Sequence, residues 1–329
     1  MFPLTQRTPL IADDDGIFTF TFLLLPEYGM VSLLSAIEPL RIANRLGERD
    51  VFRWQCLGPS DEPVMASNGM ALQPCLNMNR VSSPRNLFVN ASFNPEHNLD
   101  DEIIKWLRRL KMKGQVIGAL DTGCYLLAKA NLLKNRRVTL HWEARAAFQE
   151  RYPGFTVTNE IFEIDGSCIT CAGGTAASDL VLHLISGYCG SELAKKVCDQ
   201  LVKNGMREHS EQQTMGWMKQ LNIYHPKLLK ALELMTEHIE EPLSTQEIAK
   251  LLAISMRQLE RLFTQHVEYT PSEYYLRLRI DHARQLLLDS SLSISEIAFA
   301  SGFSSVTHFS RRYRKRYGTT ASEYRRLSR

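Results

Sequence analysis

Residues 244–263 read STQEIAKLLAISMRQLERLF, and residues 293–313 read SISEIAFASGFSSVTHFSRRY. Laid against one another at an offset of 49 to 50 positions, they are two copies of one unit. Glu247-Ile248-Ala249 recurs as Glu296-Ile297-Ala298, Ile254-Ser255 as Phe303-Ser304, and Leu259 and Phe263 as Phe309 and Tyr313. Further on, Ser272-Glu273-Tyr274 recurs as Ser322-Glu323-Tyr324. Each copy opens on a capping box, Ser244-x-x-Glu247 or Ser293-x-x-Glu296, whose side chains satisfy the free amides of a helix start. A small residue follows (Ala249, Ala298), then a tight turn at Ala253 or Gly302, then a second helix opened by Ser255 or Ser304. Two helices meeting across so short a turn predict a helix-turn-helix, whose second helix fits the major groove of a duplex. Gly302 suits a left-handed turn residue, whereas Ala253 in that conformation carries about 1 kcal/mol of strain.

Between the copies, Thr270-Pro271-Ser272-Glu273 is a further capping box with proline at the first helical position, and Leu276, Ile280, Ala283 and Leu287 share one stripe. The spacer is therefore expected to be a rigid rod that holds two recognition helices for successive major-groove faces, about 34 Å apart. Basic charge gathers in the same region. Residues 221–329 carry 16 Lys/Arg against 12 Asp/Glu, net +4, which leaves about −1 for the first 220 out of an overall +3. Arg311-Arg312-Tyr313-Arg314-Lys315-Arg316 supplies most of it, a local electrostatic footprint of a nucleic-acid partner that the whole-chain charge conceals.

Gly302-Phe303-Ser304-Ser305-x-x-His308-Phe309-Ser310-Arg311-x-Tyr313-x-x-x-Tyr317-Gly318, with Glu323-Tyr324-Arg325, resembles the AraC/XylS transcription regulator signature. The resemblance implies base-reading positions at Arg257, Glu260 and Arg261 in the first recognition helix and at Val306, Thr307 and Arg311 in the second. Chemically, the three arginines suit guanine edges and Glu260 accepts from cytosine. Arg312, Arg314, Lys315 and Arg316 are expected on phosphates, which give affinity without sequence information. Ile248, Leu259, Phe263, Ile297, Phe309 and Tyr313 are expected to form the core between the helices.

The first two hundred residues alternate short apolar runs with helix-period segments, the pattern of βα units around a mostly parallel sheet. Residues 18–25 and 115–120 read as buried strands. Residues 31–46, 101–110 and 176–188 read as helices, the first carrying Leu34, Ile37, Leu40, Ala43 and Leu46 at three-residue spacing. The second strand runs into Asp121-Thr122-Gly123-Cys124 and a helical segment, like the elbow that presents nucleophiles in α/β hydrolytic enzymes. Together with Phe22-Leu23-Leu24-Leu25-Pro26, Glu38-Pro39-Leu40-Arg41, Thr139-Leu140-His141-Trp142-Glu143 and Cys171-Ala172-Gly173-Gly174-Thr175, this elbow resembles the PfpI-like, class I glutamine amidotransferase-like domain of GlxA-type regulators. That resemblance implies a flavodoxin-like α/β sensor and dimerisation domain, ahead of an all-α domain with two helix-turn-helix motifs.

Enzymes of that superfamily carry a cysteine where Asp121 stands, and a carboxylate cannot form the same thioester. Catalysis is therefore not expected. Two competing readings are an amidase- or glyoxalase-like enzyme with an attached DNA-binding domain, which would use Cys124, and an architectural DNA-binding protein with a purely dimerising N-terminal domain. A carboxylate at the mouth of an old active-site cleft, beside Glu143 and the face of Trp142, favours a cationic ligand. Asp121, Thr122, Cys124, His141, Trp142 and Glu143 are the candidate ligand-binding residues; the plainer alternative makes Asp121 an acceptor in a strained turn and His141 and Trp142 ordinary packing. The resemblance points to a cationic or zwitterionic nitrogen metabolite of the arginine, betaine or carnitine type. It also implies an activator of the corresponding catabolic or transport genes, a homodimer joined through the N-terminal domain, and RNA polymerase as a partner beside double-stranded DNA.

At 329 residues and 44% hydrophobic content, the chain exceeds what one core usually serves. The expected division is an N-terminal arm (1–16), the α/β domain (17–203), a polar linker (204–224) and the DNA-binding domain (225–329). Seven cysteines, an odd number scattered over residues 56–198, suit reduced thiols in the cytoplasm better than a disulfide framework. Cys168 and Cys171 have half of a metal site's spacing, but an odd separation on a strand sends them to opposite faces, so neither metal nor cofactor is expected. The apolar run 17–25 is far shorter than the roughly 20 residues that span a bilayer, so no membrane contact is expected.

Overall fold

Side-chain alternation decides the architecture of the first half of the chain. Along the strand Phe18–Leu24, Phe20, Phe22 and Leu24 enter one hydrophobic core, while Leu23 and the following Leu25 enter a second on the opposite face. A strand apolar on both faces needs cover on both, and it becomes interior to a sheet sandwiched between helices. In a computed structural model that describes residues 9–209, 211, 213, 225–267, 269–290 and 292–327, this sheet has seven strands. Their order is Phe162–Asp165, Cys168–Cys171, Val116–Asp121, Asn86–Ala91, Phe18–Leu24, Phe52–Gly58 and Leu76–Asn77. All neighbours are parallel except the first pair, which is antiparallel. Helices Met30–Gly47, Ala176–Cys189 and Ser191–Gln200 pack on one face. Asp101–Met112 and Cys124–Lys129 pack on the other.

Two details differ from the sequence reading. Helix Met30–Gly47 buries Leu33, Ala36, Leu40 and Ala43, whereas Leu34 is 47% exposed. A strict three-residue series drifts around a helix of about 3.6 residues per turn, so the buried stripe alternates steps of three and four. The second difference concerns boundaries: the chain divides into two compact units, Met1–Thr214 and Met215–Arg329. Lys203 and Arg207 both pair with buried Asp179, so the start of the expected 204–224 linker belongs to the α/β unit; residues 214–224 lie outside the described residues. Residues 9–16 of the expected arm also pack on this unit, where wholly buried Asn86 donates to the Ile11 carbonyl and accepts from its amide, both at 2.9 Å. Cys168 and Cys171 fall in different cores, as their odd separation requires. Among the described residues no helix is long and apolar enough to cross a membrane.

The second unit is helical among its described residues. Capping boxes with both reciprocal bonds open Thr245–Leu251 at Ser244, Pro271–Asp289 at Thr270 and Ile294–Ala300 at Ser293. Ser255 forms another with Gln258 and opens the first recognition helix, Met256–His266. The second recognition helix, Val306–Tyr317, is capped by Ser305 rather than by Ser304. Its turn holds one more residue than the first, which is where the repeat offset changes from 49 to 50.

Pro271–Asp289 is the connector, with Ile280, Ala283, Leu286 and Leu287 buried. Its polar side chains tie it to both sides. Tyr275 donates its hydroxyl to the His238 carbonyl at 2.5 Å, and Arg279 donates to the carbonyls of Ser301 (2.9 Å) and Gly302 (2.6 Å) while lying over the Phe303 ring at 4.4 Å. Both turns are left-handed, with φ of 50° at Ala253 and 74° at Gly302. A Cβ at Gly302 would also lie 2.3 Å from the Ile239 carbonyl oxygen and 2.5 Å from Pro242.

Ala253→Gly is therefore expected to stabilise the helical unit by up to about 1 kcal/mol, and Gly302→Ala to destabilise it by more than that, because overlap with backbone adds to conformational strain. Urea unfolding followed by far-ultraviolet circular dichroism measures both, and equal or like-signed shifts contradict the assignment.

Candidate DNA-reading face and effector site

The first recognition helix turns Leu259, Leu262 and Phe263 into the core. The opposite stripe, Arg257, Glu260, Arg261 and Thr264, is exposed. In the second recognition helix Phe309 and Tyr313 are buried, and the equivalent stripe is Thr307, Ser310, Arg311 and Arg314. Val306, Thr307, Ser310, Arg311, Arg314, Lys315 and Thr320 together line a concavity of about 720 Å³. The expected readers Val306, Thr307 and Arg311 are thus brought together. Ser310 was missed and Arg314 was assigned to phosphates alone, although an offset of 50 aligns them with Glu260 and Thr264 and their helical spacing places them on the same stripe.

Tertiary partners divide the basic run. Arg314 and Lys315 are exposed. Arg312 donates Nε to His308 Nε2 at 3.2 Å, and partial burial, followed by the charges of Arg312, Arg311 and Arg279, pushes the imidazole below its ordinary range, which keeps it neutral and able to accept. Arg316 corrects the sequence reading. Its Nε and Nη2 donate to the two oxygens of Asp281 on the connector, at 2.7 and 2.6 Å, so its guanidinium is committed to packing one helix on another rather than to a phosphate.

In the α/β unit Asp121 ends the strand Val116–Asp121 in a left-handed conformation, φ 59°, one short turn before the helix Cys124–Lys129. Such a conformation is costly for a residue with a Cβ and marks an elbow under strain. Its carboxyl is buried. Desolvation pushes its pKa up to about 7 and the Glu143 charge adds to this, while hydrogen bonds to Ser92 and Ser32 and the Thr122 amide oppose it. Thr122 donates its hydroxyl to the Ser92 carbonyl at 2.6 Å. Beyond the elbow, His141 lies 3.7 Å from Glu143 and its imidazole is pushed down by burial against the opposing pull of Glu143. Trp142 is 47% exposed, its ring centroid 5.7 Å from that of His141.

Cys124 is a correction. It is completely buried, its thiol donates to the Thr139 carbonyl at 3.2 Å, and burial pushes its pKa well above the ordinary range, so it neither lines an accessible cleft nor supplies a thiolate. Ser32, in the first turn of the helix Met30–Gly47, and Ser92, just after the strand Asn86–Ala91, also reach Asp121 and were absent from the sequence reading because nothing local marks them.

Because Asp121 titrates near 7 in the fold and near 3.8 in the free side chain, folding takes up a proton between those values, and stability falls as pH rises through that window. Asp121→Asn keeps the shape of the neutral acid. Differential scanning calorimetry is expected to show it raising the unfolding temperature more at about pH 8 than at about pH 5; equal shifts at both would show that the carboxyl stays ionised in the fold.

Residues 248–327 match a helix-turn-helix domain family, and residues 35–187 match the DJ-1/PfpI family. The chain is 44% identical over 306 residues to the HTH-type transcriptional regulator CdhR of Pseudomonas aeruginosa, covering 93% of this chain and 91% of CdhR. It is 35% identical over 318 residues to the HTH-type transcriptional regulator GlxA of Rhizobium meliloti, covering 96% and 98%. A THiJ/PfpI family protein from Pseudomonas syringae, 20% identical with a TM-score of 0.50, covers 77% of this chain and 96% of its own, a likeness of fold alone. With regulators matched along nearly its whole length, a doubled helix-turn-helix and a nucleophile-type elbow, the chain belongs to the AraC-type HTH transcriptional regulators that carry an N-terminal DJ-1/PfpI domain.

Proposed function

We propose that this protein is a sequence-specific activator that reads a promoter through both recognition helices and answers to a small cationic or zwitterionic nitrogen metabolite held at the elbow. The observation that carries the first half is the exposure of Arg257, Glu260 and Arg261 on one helix and of Thr307 and Arg311 on the other, each backed by a buried stripe that fixes which side faces out. Arginine offers a bidentate donor pair to guanine, and Glu260 an acceptor to cytosine. Arg314 and Lys315 meet phosphates, and Arg312 joins them when it leaves His308.

The elbow reading rests on Asp121, Thr122, His141, Trp142 and Glu143, with Ser32 and Ser92 as further polar groups. An acid in place of the nucleophile and a buried Cys124 thiol disfavour turnover there. Charge and an aromatic face favour a cation of the arginine, betaine or carnitine type, whose catabolic or transport genes the protein would control. A cytoplasmic homodimer joined through the α/β unit, engaging RNA polymerase at the promoter, completes the proposal.

On operator DNA, Arg257→Ala is expected to relax base preference at one position by about 1 to 3 kcal/mol, whereas Lys315→Ala weakens all sequences alike and lowers the salt slope by about one. Equal losses on specific and scrambled duplexes for both variants, measured by fluorescence anisotropy, would refute the division. Thermal shift against a panel of amines, amino acids and betaines tests the effector. A cation beside Asp121 favours its ionised form, so binding releases a proton and the shift is expected to grow from about pH 6 to about pH 8. No response to any member of the panel favours a purely dimerising domain.

A further inference from the structure

The segment from Lys203 to Gln213 leads by chain continuity from the α/β unit toward the DNA-binding unit, and Lys203, Arg207, His209 and Gln213 fasten it to the α/β unit. Asp179 is fully buried near the start of the helix Ala176–Cys189. It pairs with Lys203, and it accepts from the Arg207 amide (2.8 Å) and from Arg207 Nε (2.8 Å). The same guanidinium donates to Thr175 at 3.1 Å. Two residues before Thr175, Gly173 lies against Asp121 and Ser32, and between them the Gly174 amide donates to Ser32 at 2.7 Å. One side of the elbow therefore connects to the segment through Gly173, Gly174 and Thr175.

The other side connects through Gln213. Its amide nitrogen donates to Thr139 Oγ1 (3.0 Å) and to the carbonyls of Leu140 (2.9 Å) and Glu160 (3.1 Å). Thr139 is the residue whose carbonyl accepts the Cys124 thiol, and Leu140 immediately precedes His141, Trp142 and Glu143. His209 adds a contact to Glu160 at 2.9 Å. Arg207, through Thr175, and Gln213, through Thr139 and Leu140, thus end on the two stretches that lead to the elbow, while Asp179 anchors the start of the segment to the helix Ala176–Cys189.

We propose that this segment is a coupling strap, clasped to the rim of the elbow by Arg207 and Gln213, so that a change at the elbow and release of the strap are linked equilibria. The proposal rests on the effector reading for its biological input, but its physical content requires no ligand. Release is expected to be cooperative, because parting Arg207 from Asp179 leaves a wholly buried carboxylate with Lys203 as its remaining charge partner. Linkage is also reciprocal: whatever loosens the rim loosens the strap, and the converse holds.

Hydrogen–deuterium exchange on the full-length chain, without ligand or DNA, tests this. Gly173→Ala drives a Cβ to 2.6 Å from Asp121 Cβ at a φ of 82°, a wedge at the elbow whose nearest neighbours are Asp121 and Ser32. Amides of 203–213 should then exchange about tenfold faster or more, while the strands Phe18–Leu24 and Asn86–Ala91 keep their protection. Ser32→Ala, which removes the acceptor of the Gly174 amide without adding volume, should act in the same direction and serves if the wedge prevents folding. Conversely, Arg207→Ala should speed exchange at 172–177. Unchanged exchange of 203–213 in the elbow variants overturns the proposal, as does acceleration spread evenly over the whole α/β unit. Failure of the metabolite panel with these exchange results intact would refute the effector reading and leave the strap standing.

Discussion

The DNA-binding unit depends on how Arg279 is accommodated. Its guanidinium sits where burial pushes its pKa below the usual range; the carbonyls of Ser301 and Gly302 accept from it and the Phe303 ring covers it. A partly desolvated cation is costly unless its donors are satisfied, so the connector and the second turn are held together by a contact that is expensive to break halfway. The turn carbonyls are free to accept because Gly302 takes a left-handed conformation, and Gly302 is required there because Ile239 and Pro242 leave no room for a Cβ. Helix termination, interhelical packing and the placing of the second recognition helix are thus one constraint.

Asp281 and Arg284 extend it. Asp281 holds Arg316 and accepts from the Tyr317 hydroxyl, and Arg284 lies over the rings of Tyr317 and Tyr324 at 4.6 and 4.9 Å. The connector thereby draws in one residue of the basic run and leaves Arg314 and Lys315 facing outward. A run of like charges is divided between structure and surface by which side of the helix each residue occupies.

The α/β unit shows a related economy of parts. Strands buried on both faces give a sheet whose strand ends are rigid, and the elbow at Asp121 stands at one of those ends. Strain in its backbone is maintained because Ser32, Ser92 and the Gly173 loop over-determine its position. The Gly173 stretch runs into Thr175, which receives Arg207, while Gln213 is received by Thr139 and Leu140, just ahead of His141. The geometry of a catalytic turn is retained here with a carboxyl of raised pKa at its apex.

What the sequence by itself determined was whatever depends on near neighbours. Capping boxes at Ser244, Thr270 and Ser293 need only three residues of context, the left-handed turn at Ala253 follows from its place in the repeat, and the opposite facing of Cys168 and Cys171 follows from strand periodicity. Arg257, Glu260 and Arg261 of the first recognition helix came from the family resemblance, and the structure leaves all three exposed. Only the tertiary structure decided what depends on partners distant in sequence: Arg316 is taken by Asp281 35 residues away, Cys124 is sealed beneath the elbow against Thr139, and Lys203, Arg207 and Gln213 are claimed by Asp179 and Thr139. Local periodicity specifies which way a side chain points. Burial, charge pairing and hydrogen-bond satisfaction specify what it meets there, and these are set by the packing of elements that the chain brings together from afar.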